Sequence, residues 1–114
     1  MKTAENPLAR EHCQPIRGTG HRLDPLEITA LLATLPGWQV DGQGRLSKSF
    51  SFAGYPATML FVNMIAALAE REDHHPDLEV GYGKVLVGYS THDVGGLSRN
   101  DFICAARVEA LAGF

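Results

Sequence analysis

The stretch His74-His75-Pro76-Asp77-Leu78-Glu79-Val80-Gly81-Tyr82-Gly83-Lys84-Val85-Leu86-Val87-Gly88-Tyr89-Ser90-Thr91-His92 decides the fold. Proline disfavours helical backbone at the residue before it, so a helix arriving from upstream stops at His74-His75-Pro76. Residues 78–82 and 85–91 then read as two strands joined at Gly83-Lys84, the second strongly β-forming through Val85, Val87 and Tyr89.

Upstream, residues 57 to 73 contain Met59, Leu60, Phe61, Val62, Met64, Ile65 and Leu68 and are apolar around much of a helical wheel. One side of such a helix covers a sheet. The other belongs either in an oligomer contact or deeper in the domain's own core. Earlier still, Leu46, Lys48, Phe50 and Phe52 alternate with Ser47, Ser49 and Ser51 at the strand period, after the turn-rich cluster Asp41-Gly42-Gln43-Gly44. The Lys48 stem can snorkel on the apolar face, and Gly54-Tyr55-Pro56 ends the strand. Before this hairpin, Asp24-Pro25-Leu26-Glu27 supplies an N-cap, a first-turn proline and an acid, which predicts a helix over residues 25–35. Leu26, Ala30, Leu31 and Leu35 give it an apolar stripe, and Pro36-Gly37 stops it.

Downstream of Gly95-Gly96, Ser98 and Asp101 form a Ser-x-x-Asp variant of the capping box, and Phe102, Ile103, Ala106 and Ala110 give a closing helix its apolar face. The order helix, two strands, long helix, two strands, helix predicts an α+β domain: a four-stranded antiparallel sheet with three helices on one face. Residues 1–22 are polar and rich in Gly, Pro and His, and read as a mobile extension that can lie along a domain of residues 23–114.

At 114 residues, 45% hydrophobic and 20% charged, the chain fits one ordinary globular domain. A net charge of −3 gives no electrostatic footprint for nucleic acid or an acidic membrane. No apolar run approaches the roughly 20 residues of a membrane span. The N-terminus lacks the apolar centre of a secretory signal, which makes the cytoplasm the expected compartment. Cys13 and Cys104 have no metal or redox spacing, so a disulfide framework is not expected.

The chemistry-bearing residues are Glu70, His74, His75, His92 and Asp101, all near element ends. A hairpin returning His92 beside His74 and His75 would gather three imidazoles, the side chains suited to acid–base work near neutral pH without a cofactor. If the helix persists to its last turn, Glu70 and His74 share a face, either as carboxylate and oriented imidazole or as a surface ion pair. His12 and His21 read as solvated, Asp101 reads equally well as a helix cap, and Trp38 reads as a core anchor. A metal site is disfavoured, because consecutive residues at a chain reversal point apart and no cysteine or carboxylate completes a zinc spacing.

Glu70-x3-His74-His75-Pro76, followed by Tyr82, His92 and Asp101, with Thr91-His92-Asp93-Val94-Gly95-Gly96-Leu97-Ser98 and Asp101-Phe102-Ile103, closely resembles the signature of the pterin-4a-carbinolamine dehydratases. The resemblance runs from about residue 24 to 112. It implies dehydration of 4a-hydroxytetrahydropterin to quinonoid dihydropterin, the recycling step after an aromatic amino-acid hydroxylase, with no metal or organic cofactor. It implies a homodimer or homotetramer. It also implies His74, His75 and His92 as the catalytic set, with His74 and His92 the essential pair. Pro76, Thr91, Asp93 and Val94 join the histidines in lining the pterin site, and Glu70, Tyr82 and Asp101 support it. Two departures stand out: Leu78 where many relatives have an aromatic residue, and Ile16 three residues after Cys13, where some bacterial relatives place a second cysteine. The other reading is a non-catalytic pterin-binding or regulatory protein of the same fold.

Overall fold

In a computed structural model, which describes residues 6–113, the strands form one antiparallel sheet in the order β1-β2-β4-β3. The elements are α1 (Pro25–Leu32), β1 (Gln39–Val40), β2 (Leu46–Ser51), α2 (Tyr55–Glu72), β3 (Asp77–Val80), β4 (Lys84–Tyr89) and α3 (Arg99–Leu111). This is the expected α+β architecture in the expected order. Pairing of Leu46 with Tyr89 and of Asp77 with Gly88 fixes one end of the sheet, while Val80 pairs with Val85 at the other. The first end receives the chain from His74-His75-Pro76 and releases it toward Thr91 and His92.

Helix α2 starts at Tyr55, two residues earlier than the sequence reading placed it, because Pro56 is tolerated in a first turn. Its inward face is Thr58, Phe61, Ile65, Leu68, Ala69 and Glu72, and Phe61 meets the rings of Phe50 and Phe52 at 4.9 and 5.0 Å. Leu60 stays 49% exposed on the outer side. The helix ends at Glu72, where Asp73 takes the left-handed conformation with φ 51°.

Helix α1 has the expected capping box between Asp24 and Glu27 but stops at Leu32, and its stripe differs from the expected one. Ile28, Leu31 and Leu32 touch the core, whereas Leu26 is 81% exposed. The core lies to one side of the helix, so the i, i+3, i+4 set that meets it is displaced from Leu26. Leu35 is buried in the turn that follows, and Trp38 is buried with its Nε1 donating to Glu109. Lys48 pairs with the same Glu109 and lies 5.0 Å above the Phe50 ring, as a snorkelling lysine does.

The polar N-terminal stretch takes part in the core. Leu8 and Ala9 are buried in a 3-10 turn, Pro7–Arg10, packed against α3. Beyond the turn, Cys13 N–H donates to Glu72 Oε1 at 2.8 Å, Asn100 exchanges hydrogen bonds with the Gln14 backbone, and Arg107 donates to the Glu11 carbonyl. The packed unit therefore begins well before residue 23. Among the described residues no helix is long and apolar enough to cross a membrane.

Candidate active site

The end of α2 determines where the histidines point. Because Asp73 turns the backbone left-handed, His74 leaves the helix face, and the expected pairing of Glu70 with His74 does not form. Glu70 Oε2 instead meets His75 Nε2 at 2.6 Å, with both side chains largely exposed. His74 turns inward, and its Nε2 lies 2.7 Å from Asp101 Oδ1.

Asp101 is fully buried and serves three partners. Besides His74, its Oδ2 accepts from Thr91 Oγ1 at 2.8 Å and from the Ser98 backbone N–H at 2.9 Å. Thr91 and Ser98 also share a hydroxyl–hydroxyl bond of 2.8 Å. Asp101 thus caps α3 through one oxygen and meets the His74 imidazole through the other. A carboxylate offers only acceptors, so the proton of this bond belongs to His74 Nε2, leaving Nδ1 as the free ring nitrogen.

His92 follows Thr91 directly and opens a short 3-10 turn, His92–Val94, with His92 and Asp93 exposed and Val94 buried. The turn is closed by Gly95 in the left-handed conformation (φ 71°) and by a Thr91–Gly96 bridge. The His92 loop is therefore fastened to His74 through one carboxylate. Pro76 is half-buried where the chain enters β3.

Tyr82 departs from the expected set. It sits in the turn between β3 and β4, 73% exposed and stacked on Tyr55, with ring centroids 6.2 Å apart. The hairpin carries it about 16 Å from the start of β3, five residues at the strand rise, so within the chain it does not join the histidine end. Tyr89, which sequence reasoning did not assign to the site, does: its ring stacks on His74 at 5.7 Å between centroids and 8° between planes. The signal lay in the alternation of Val85, Val87 and Tyr89, all fully buried on one face of β4. Burial first, then the neighbouring Cys104 and Cys13, pushes the Tyr89 phenol far above its ordinary value.

Of the three histidines, His74 is half-buried, and His75 and His92 are exposed. A groove of about 570 Å³ lies elsewhere, between the N-terminal segment and α3, lined among others by Ile16, Arg22, Leu23 and Ile103. Among the described residues no three of His, Cys, Asp and Glu gather as a metal donor set.

The architecture matches solved structures of the same class. A structure titled transcriptional coactivator/pterin dehydratase, from Brucella melitensis, superposes with a TM-score of 0.77 at 35% identity, over 81% of this chain and 99% of that one. A pterin dehydratase-like protein described as a RuBisCO assembly factor in the alpha-carboxysome superposes with a TM-score of 0.59 at 33% identity, over 68% and 90% of the two chains. The family model for pterin 4 alpha carbinolamine dehydratase matches residues 21–111, and the chain belongs to that family. Proteins named "Putative pterin-4-alpha-carbinolamine dehydratase" from Stenotrophomonas maltophilia and Xanthomonas euvesicatoria are each 53% identical over 106 residues. That span is 92% of this chain and 91% and 90% of the relatives.

Proposed function

We propose that this chain dehydrates 4a-hydroxytetrahydropterin to quinonoid dihydropterin by histidine acid–base catalysis, without a resident metal or organic cofactor. The C4a–oxygen bond breaks as the leaving hydroxyl takes a proton and departs as water. The N5 proton is lost, and the electron pair left on nitrogen closes the C4a=N5 double bond. One imidazole delivers the first proton and another accepts the second, a division that histidines perform near neutral pH.

The observation that carries this reading is the bond from His74 to buried Asp101, whose other oxygen holds Thr91 beside His92. An imidazole held by a carboxylate through one nitrogen presents the other in a fixed direction. His75, steadied by exposed Glu70, would complete the set, with Pro76, Thr91, Asp93 and Val94 lining the pterin site. A homo-oligomer fits the exposed Leu60 on α2 and Val80 at the β3 sheet edge. The substrate would come from an aromatic amino-acid hydroxylase, in the cytoplasm.

The test is the decay of freshly generated 4a-hydroxytetrahydropterin, followed by absorbance with chelator present. Acceleration over the spontaneous reaction supports the dehydratase. Binding of pterin without acceleration would turn the reading to a non-catalytic or regulatory protein of the same fold, the direction in which the RuBisCO assembly factor lies.

A further inference from the structure

Cys13 and Cys104 stand 91 positions apart in sequence, yet their sulfurs lie 3.4 Å from each other. Both are free thiols, Cys13 half-buried in the N-terminal segment and Cys104 fully buried in α3. The backbone on either side of Cys13 is pinned: its own N–H is held by Glu72 Oε1 at 2.8 Å, and the Gln14 N–H by Asn100 Oδ1 at 3.0 Å. The Cys13 sulfur also lies 3.7 Å from the Asn100 carbonyl. A disulfide needs sulfurs about 2.05 Å apart, so closure asks for a shift of under about 1.5 Å by a short loop. None of the proposed chemistry uses either thiol.

We propose that Cys13 and Cys104 form an oxidisable dithiol, a modification site that closes into an intramolecular disulfide and staples the N-terminal segment to α3. The oxidant class is a low-molecular-weight disulfide such as glutathione disulfide. The thiol of Cys13, the less buried of the two residues, gives up its proton and attacks one sulfur of the reagent. A mixed disulfide forms and one thiol leaves. The Cys104 thiol then loses its proton and attacks the Cys13 sulfur, expelling the second small thiol. Two thiols and one reagent disulfide thus become one protein disulfide and two small thiols, with two electrons passing to the reagent. The hydrogen bond to Cys13 and then burial push the Cys104 thiol upward, which favours Cys13 as the sulfur that attacks the reagent. Both thiols neighbour the Tyr89 phenol, whose ring stacks on His74.

The experiment treats the full chain with glutathione disulfide and reads intact mass under non-reducing conditions together with the melting temperature. The expected product is a monomeric chain lighter by two hydrogens, melting higher by about 5 °C or more because a long loop is closed in the unfolded state. Cys104→Ser should stop at a glutathione adduct on residue 13, and Cys13→Ser should take up little reagent. A native chain that keeps the adduct, links only between chains or stays reduced would overturn the proposal. So would a closed disulfide without a rise in melting temperature, or modification of Cys104 in Cys13→Ser as fast as closure in the native chain. Mass and melting are read without pterin, so this result is independent of the dehydratase assay.

Discussion

Asp101 is a zero-exposure carboxylate with three hydrogen-bond partners, one of them the imidazole on which the proposed chemistry rests. Asp101→Asn keeps the shape and one acceptor oxygen but turns an N–H₂ group toward His74. The His74 Nε2 must then accept, the tautomer inverts, and the free nitrogen changes role. Turnover is expected to fall by about tenfold to a hundredfold, and the loss of a charged hydrogen-bond acceptor to cost about 1–3 kcal/mol of stability. Steady-state kinetics beside a urea titration separates the two effects, and unchanged turnover would remove Asp101 from the site. Most of the candidate site was legible as spacing, because His74, His75, His92 and Asp101 sit near element ends that local sequence signals mark. The wrong partner for Glu70 has a local cause: one left-handed residue, Asp73, ends the period that would have paired Glu70 with His74.

At the scale of elements, the alternation in β2 and the helical spacing in α2 both converge on Phe61, which is fully buried between Phe50 and Phe52. Phe61→Ala is expected to cost about 3–5 kcal/mol, read as a lower urea midpoint with an unchanged slope. A loss under about 1 kcal/mol would contradict the packing described, since a well-filled core feels even one methylene. The caps at Asp24 and Ser98, the stop at His74-His75-Pro76 and the hairpin patterns were readable because each is a local rule. Placing Tyr82 required knowing where the β3–β4 turn falls, and the turn occupies residues 81–83 rather than 83–84. The inward face of α1 depends on which side the core lies, which the helix's own pattern does not say.

For the whole molecule, the N-terminal segment is part of the fold, although its composition gave no sign of it. Its attachments, Leu8 in the core and Cys13 on Glu72, join residues about 60 or more positions apart, beyond the reach of local patterns. Removing residues 1–13 is expected to cost at least about 2 kcal/mol through the lost burial of Leu8 alone, measured by urea denaturation. The truncation should also alter acid stability. Burial raises the Glu72 carboxyl, but the Cys13 N–H, His12 and nearby Arg107 outweigh it and hold the pKa below the ordinary 4.5. A carboxyl depressed in the folded state contributes stability that is complete above 4.5 and lost as pH falls through its lower folded value. The full chain should therefore lose more stability than the truncated one between neutral pH and pH values below 4.5, and equal losses would contradict the role given to Glu72. Histidine acid–base dehydration is best examined by comparing 4a-hydroxytetrahydropterin decay with the native chain and with a His74→Ala, His92→Ala double variant whose circular dichroism and melting are native-like. Acceleration by the native chain and a loss of roughly 10²-fold or more in the variant are expected; a fully active double variant would exclude His74 and His92 as the acid–base pair.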